Sequence, residues 1–413
     1  MKAALDAIAE ADDIVVADLA AILSIDTSYP PGQNYPDLVA WAEARLVPLG
    51  FTTRRVEVPA ALWQVHGAGA HGPRVNLVAD RDGPDPIGIY CHMDVVPAGD
   101  GWSVPPFAAT RQGDWVLGRG AADMKASIAA LMLAMEMAHR HAVPLRYTPR
   151  ILLCTDEEGG AYPGIRYLTE QGHVPTHLLC LDGSAAPRIW SGAFGSLELL
   201  LEVHGTAGHS GQHGSGDNAL ERTIPIMAAL MALKPVIESR SSALTDRAGD
   251  ALHPIFALTV AQAGLKANII PDLCRLAMNR RYMPEEDDAV VLAEIHDAIA
   301  AAAPPGTRWS LHVTGHLAAT DAPDQGPHWP RWQAAMAASF GFDPADFHAW
   351  GATSSSDMGW VQRARAPGES REILIGGAIR SDSRVHGVDE RVRIADIQSL
   401  AAAILRYLAG EFA

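Results

Sequence analysis

The chain has no uninterrupted apolar run of about 18 or more residues, so no membrane-spanning helix is expected. Its first residues, Met1-Lys2-Ala3-Ala4-Leu5-Asp6, lack the basic and then apolar stretches of a secretory signal. They read instead as the first helix of a cytoplasmic protein. Positive charge is scarce: 32 Lys and Arg stand against 48 Asp and Glu, a formal net charge of −16. That excess disfavours nucleic acid and anionic membrane surfaces as partners. Cysteine is scarce too. Cys91, Cys154, Cys180 and Cys274 form no CxxC pair, and the first three lie in apolar, strand-like runs. Buried free thiols in a reducing compartment are expected. No internal repeat or low-complexity segment interrupts the chain.

With 413 residues, 48% of them apolar, the chain can build a large core, and two domains are expected. Residues 13–58 read as a helix, a turn around Pro30-Pro31-Gly32 and a second helix. From Val75 onward strands and helices alternate. Ile87–Cys91, Arg150–Cys154 and His177–Leu181 are expected strands, and Met124–His139 an Ala-, Leu- and Met-rich helix. Such alternation predicts an α/β sheet covered by helices on both faces, with ligands at the strands' C-terminal ends.

The pattern changes near Gly192. Leu197–Val203, Ile255–Ala261, Leu273–Arg281 and Trp309–Val313 read as strands, and Asn218–Leu233 and Glu285–Ala303 as helices. The order βαββαβ is ferredoxin-like and predicts an inserted domain of roughly 120 residues. Trp332–Phe340 and Glu372–Ile375 then resume the first domain as helix and strand.

Chemistry concentrates at the strand ends. His92 and Asp94 are two residues apart, so both can face one side, with Asp94 accepting a hydrogen bond from the ring nitrogen of His92 that binds no metal. Cys91, between alternating positions, points away. Asp123 follows Gly118-Arg119-Gly120; its plainer reading is a helix N-cap. Glu157 and Glu158 are adjacent and point in different directions, so one can bind a metal while the other acts as general base. Asp182 repeats the pattern of a carboxylate after a buried strand. Imidazole and carboxylate donors gathered in this way hold one or two divalent metals.

The stretches HMDVVP (92–97), GRGAADMK (118–125), DEEGG (156–160), LDG (181–183) and HGVDE (386–390) together resemble the M20 family of zinc aminopeptidase-like hydrolases. They stand in family order, with an insertion between the last two, so the resemblance covers nearly the whole chain. It implies a zinc-aminopeptidase-like catalytic domain with a mixed sheet, formed by residues 1–191 and 316–413, and a lid and dimerisation domain over 192–315. It also implies that His92 and Asp182 bind one metal, Glu158 and His386 the other, and that Asp123 bridges both, followed by a cis peptide. Two divalent ions are implied, Zn2+ first, with Co2+ or Mn2+ as alternatives. Asp94 orients His92 and Glu157 is the general base.

In the lid, Gly205-Thr206-Ala207-Gly208-His209-Ser210 resembles the family's oxyanion-stabilising histidine segment, which singles out His209 over His204 and His213. Asn268 and Arg281 resemble contacts to a substrate carboxylate, with Arg280 as the neighbouring alternative, because the family's usual Asp-Ile-Arg is Asn279-Arg280-Arg281 here. Ala126 stands where Gly is commoner. Thr353-Ser354-Ser355-Ser356-Asp357-Met358 replaces a Gly-rich stretch; its serines either alter specificity or cap the next helix, and the cap is the expected role. The implied activity is metal-assisted hydrolysis of an amide in an N-acyl amino acid or small peptide with a free carboxylate, by a homodimer paired through the lid. The alternatives are a carbamoylase or aminohydrolase on the same site, or a non-catalytic metal-binding protein.

Overall fold

The computed structural model describes residues 1–320, 326–364 and 371–410. Its central sheet has six strands, in the order Thr52–Val58, Arg74–Asp80, Thr148–Cys154, Pro86–His92, His177–Cys180, Glu372–Ile375. The first two run antiparallel to their neighbours and the last four are mutually parallel. The parallel strands are nearly continuous in buried apolar residues, as strands covered on both faces must be. Ala126–Arg140 is buried along almost its whole length and packs against the C-terminal helix Ile394–Leu408, which also meets Trp329–Phe340. The α/β expectation is met, and the sheet is mixed.

Two expectations are corrected near the start. Helices span Lys2–Ala9, Asp12–Leu23 and Tyr35–Leu46, but the last does not continue to residue 58. Gly50 turns the chain at φ +87, and Thr52–Val58 forms an edge strand on Arg74–Asp80. Its polar, alternating sequence suits a half-exposed edge rather than a helix face. The central helix also starts later than expected, at Ala126, because Asp123 and Met124 are not helical.

The inserted unit is a four-stranded antiparallel sheet in the order Ile255–Ala263, Leu273–Tyr282, Gly195–His204, Arg308–Leu317, backed by the helices Ala219–Glu238 and Asp288–Ala302. This is the ferredoxin-like arrangement. Asn218 and Asp287 cap the two helices through side chains that accept backbone N–H groups. The unit has its own core, in which Leu197, Leu199, Leu201, Leu276 and Met278 from alternate strand positions meet Ile226, Ile295 and Ile299 from the helices. Among the described residues no helix is long and apolar enough to cross a membrane.

Beneath the turn that follows Thr148–Cys154 lies a buried ion pair. Arg74 Nε donates to Asp156 Oδ2 at 2.7 Å, and Tyr35 Oη donates to Oδ1 at 2.7 Å. Arg74 also donates to the carbonyls of Pro31, Gly32 and His71, under the Trp63 ring. Asp156 is therefore an anchor of the turn, and its side chain is engaged away from the metal-ligand candidates. Breaking one partner of such a pair strands a buried charge. Arg74→Met is expected to lower stability by about 3 kcal/mol, read as an earlier denaturant midpoint in circular dichroism; an unchanged midpoint would refute the anchoring role.

Candidate metal centre

Parallel register brings the candidate ligands together. His92 is paired with Cys154, and Tyr90 with Cys180, so three neighbouring strands stop at one edge of the sheet. His92, Glu157-Glu158 and Asp182 leave the sheet there. Asp123 arrives from the stretch before the central helix, and His386 from a loop far along the chain, where it adopts φ +61. Donor atoms of His92, Asp123 and Asp182 all lie within 4.8 Å of one another, and so do those of Asp123, Glu158 and His386. Asp123 belongs to both trios: its Oδ1 is 3.2 Å from His92 Nε2 and its Oδ2 3.4 Å from His386 Nε2. Glu158 Oε2 is 3.0 Å from His386 Nε2. The Asp123–Met124 peptide is cis.

The tautomer of His92 follows from its other nitrogen. Nδ1 lies 3.0 Å from the main-chain carbonyl of Asp94, which can only accept, so Nδ1 carries a proton and Nε2 is the ring nitrogen turned to Asp123. This corrects one expectation. The Asp94 carboxylate is 3.7 Å from Nδ1, beyond hydrogen-bond reach, and accepts instead from the Glu158 N–H at 2.8 Å. Asp94 thus orients His92 through its backbone and Glu158 through its side chain.

Electrostatically the site is strained by its own carboxylates. Burial pushes the Glu158 carboxyl up to about 7 and the Asp182 carboxyl up to about 6, in both cases reinforced by the charge of Asp123. Burial likewise holds Glu157 well above the usual carboxylate range, with His92 pulling the other way. Asp123 is buried too, yet its hydrogen bonds to His386 and His92 hold it below that range. Those to Asp123 and Glu158 raise the His386 imidazole to about 10. Glu158 Oε1 and Asp94 Oδ1 are buried with no hydrogen-bond partner among the described residues.

Two residues that shape this centre carry no assignment from the sequence. Glu390 is buried and accepts from the backbone N–H groups of Gly120, Ala122 and Asp123 at 3.0, 2.8 and 3.0 Å, and from Arg119 at 2.6 Å. It holds the Asp123 backbone, so Asp123 is no helix cap; the helix begins after Lys125. The signal was a glycine-flanked loop whose N–H groups needed an acceptor. Asp357 accepts from Tyr90 Oη at 2.6 Å, and burial pushes its carboxyl up to about 8. Its charge acts on Glu157, which no local pattern near residue 357 announces.

The centre floors a cleft of about 530 Å3 whose opposite wall is one face of the lid sheet. Strand alternation decides which lid residues face it. Ser196 and Glu198 pair with Arg281 and Asn279, all on the face opposite the lid core. Arg281 lines the cleft, donating to Ser355 Oγ at 2.8 Å and Asn279 Oδ1 at 3.2 Å. Arg280 faces the other way, is fully buried and pairs with Glu286 at 2.7 Å. The expected serine cap is met only by Ser356, and weakly, at the same point. The helix Met358–Arg363 has no side-chain cap from its N-cap residue, Ser356 Oγ reaches the Met358 N–H only at 3.4 Å, and Ser354, Ser355 and Ser356 line the cleft.

The DEEGG glycines let lid and turn meet. His316 N donates to the Gly160 carbonyl at 3.1 Å, and a Cβ on Gly315 would lie 2.5 Å from the Gly159 carbonyl. His209 and Asn268 are elsewhere. Both are exposed at the far end of the lid, where Gly208-His209 pairs with Ile269-Ile270, and neither lines the cleft of its own chain. A further trio, His66, Glu202 and His312, lies along the same lid face. There Glu202 is engaged by Arg275 at 2.8 Å and His66 at 3.0 Å, tying the loop around residue 66 to the lid.

Residues 88–410 match the model of peptidase family M20/M25/M40. The chain is 30% identical over 345 residues to a succinyl-diaminopimelate desuccinylase of Acidiphilium cryptum, covering 81% of this chain and 85% of the relative. Among solved structures, the dipeptidase Dug1p of Saccharomyces cerevisiae superposes with a TM-score of 0.79 at 14% identity, over 98% of this chain and 97% of the other. The Bacillus subtilis YXEP protein, described as a dinuclear metal binding peptidase, superposes with a TM-score of 0.57 at 13% identity, over 96% and 99%. This chain belongs to peptidase family M20/M25/M40 and is a metallo-hydrolase of amide and peptide bonds.

Proposed function

We propose that the protein hydrolyses the amide bond of an N-acyl amino acid or small peptide with a free carboxylate, with two divalent metals at the centre and Glu157 as general base. The observation that carries this reading is the sharing of Asp123 between two donor trios. The donors suit the ions. Two imidazoles and three carboxylates form two adjoining trios, burial raises Glu158 and Asp182, and Glu158 Oε1 is left without a partner among the described residues. Divalent cations would relieve all three conditions. His92, Asp123 and Asp182 would hold one ion; Asp123, Glu158 and His386 the other. Zn2+ fits this nitrogen and oxygen set, as do Co2+ and Mn2+.

When bound, such ions supply Lewis acidity and lower the pKa of water toward neutrality. Glu157 is free to act as the base, since its side chain makes no hydrogen bond among the described residues and it lines the cleft. Its carboxylate takes a proton from the attacking water and passes it to the leaving nitrogen. Burial raises its affinity for that proton, which suits it to both steps. Asp94 positions His92 and Glu158. Arg281, steadied by Ser355 and Asn279, offers a fork to the substrate carboxylate. Residues 192–315 form the lid and 1–191 with 316–413 the catalytic part, although the last lid strand runs on to Leu317.

His209 and Asn268 serve the cleft of a second copy in a homodimer, where His209 stabilises the oxyanion. Support comes from their exposed position and from Leu220, Ile224 and Met231, which line up at helical spacing on the outer lid helix and are all exposed. Four buried free thiols suit a cytoplasmic setting.

Glu157→Gln is expected to keep the wild-type metal content and lose turnover by about 10²-fold or more. Metal analysis beside steady-state kinetics checks this, and near-normal turnover would remove Glu157 from the mechanism. Arg281→Ala should raise KM for substrates with a free carboxylate by about tenfold or more, whereas Arg280→Ala should chiefly destabilise the lid. The reverse result would move the carboxylate contact by one residue. Ile224→Glu should yield monomers by sedimentation together with a loss of kcat; a wild type that is already monomeric and active would refute the shared site.

A further inference from the structure

Among the described residues, Glu198 is the one acidic side chain on the lid face above the cleft that has no engagement of its own. Its sheet neighbour on the same face, Glu202, is tied to Arg275 and His66. Glu198 accepts no hydrogen bond and has no ion-pair partner within 4 Å among the described residues. It lines the same cleft as Glu157 and Arg281. Gly159 and Gly315 hem its carboxylate from two sides: a Cβ on either would sit 3.4 or 3.1 Å from Glu198 Oε2. The carboxylate is thus held at the mouth of the Glu157-Glu158 turn by backbone, with little freedom to swing toward solvent. Burial raises its pKa, and the Arg281 charge opposes that rise without forming a contact. Ser355 and Asn279 orient Arg281 through its Nη1 and Nε.

Register supplies the spacing. Glu198 pairs directly with Asn279, and Arg281 lies two residues further along the same strand. Residues in that diagonal relation on one sheet face are about 7–8 Å apart. A carboxylate and a guanidinium so placed over a hydrolytic centre match the two charged ends of a short peptide, with its amide between them. We propose that Glu198 is the binding subsite for the free ammonium group of a dipeptide whose carboxylate is held by Arg281. The inference rests on the amidase reading above and narrows it, favouring a free amino terminus over an N-acyl group.

The test uses the full-length, metal-loaded protein with L-alanyl-L-alanine and N-propionyl-L-alanine, which differ only in the ammonium group. The wild type should prefer the dipeptide. In Glu198→Gln, the ratio of kcat/KM for the dipeptide to that for N-propionyl-L-alanine should fall about tenfold or more, mostly through KM, as loss of a charge-assisted hydrogen bond requires. An unchanged ratio in Glu198→Gln overturns the subsite. A wild type that cleaves N-propionyl-L-alanine but not the dipeptide also overturns it, while leaving the amidase reading standing. Cleavage of neither overturns both. Glu198→Asp, which keeps the charge and shortens the reach, should restore part of the ratio; a merely structural role would not give that partial rescue.

Discussion

Because the Pro86–His92 strand pairs in parallel with both of its neighbours, three chain segments leave the sheet at one edge. The placing of Glu157, Glu158 and Asp182 depends on that shared exit. An antiparallel neighbour would have delivered its carboxylates to the opposite edge. Parallel strands need long crossovers, and here the crossovers bring further parts: the stretch with Asp123 and the central helix lie between His92 and Cys154. Burying the resulting carboxylates together is costly in water-excluded surroundings, and the fold meets that cost locally. Glu390 and Arg119 pair with each other, and Asp123 is held by two imidazoles.

The lid sheet shows a second constraint, the strict alternation of side chains. One face carries the leucines of the lid core, and the other meets the catalytic part. A single-residue change of register would bury Arg281 and expose Arg280. Arg280 is kept in place by Glu286, and Glu286 also binds Arg240, so an ion network inside the lid reinforces the register that aims Arg281.

Much of this was legible in the sequence because it depends on period and order. Apolar runs ending in carboxylates marked the parallel strands, and the βαββαβ order marked the lid. What was not legible depends on contacts between distant segments. Asp357 meets Tyr90, and Glu390 meets the loop around Gly120, across hundreds of residues, with no local pattern at either end. The Asp94 carboxylate was assigned to His92 because the two sit two residues apart; its nearer donor was the Glu158 N–H, which spacing along one strand does not reveal. The serines before Met358 have the composition of a helix cap, but only Ser356 reaches the helix, while all three line the cleft and Ser355 accepts from Arg281. Thr52–Val58 was absorbed into a helix because an edge strand with one partner carries only a weak apolar alternation.

The bond from His316 to Gly160 lies beside the two points where the chain passes between the catalytic part and the lid, near Ala193 and Thr320, which are themselves bridged. These contacts form a pivot at one end of the lid. The Gly195–His204 strand runs from that pivot for about 30 Å at the usual rise of an extended chain. Rotation about it would move Ser196, Glu198 and Arg281 little, because they lie close to the axis. The same rotation would sweep His209 and Asn268 through the widest arc. Ser196, Glu198 and Arg281 would so keep their place over the Glu157-Glu158 turn, and the bond between Glu202 and His66 opposes travel of the far half.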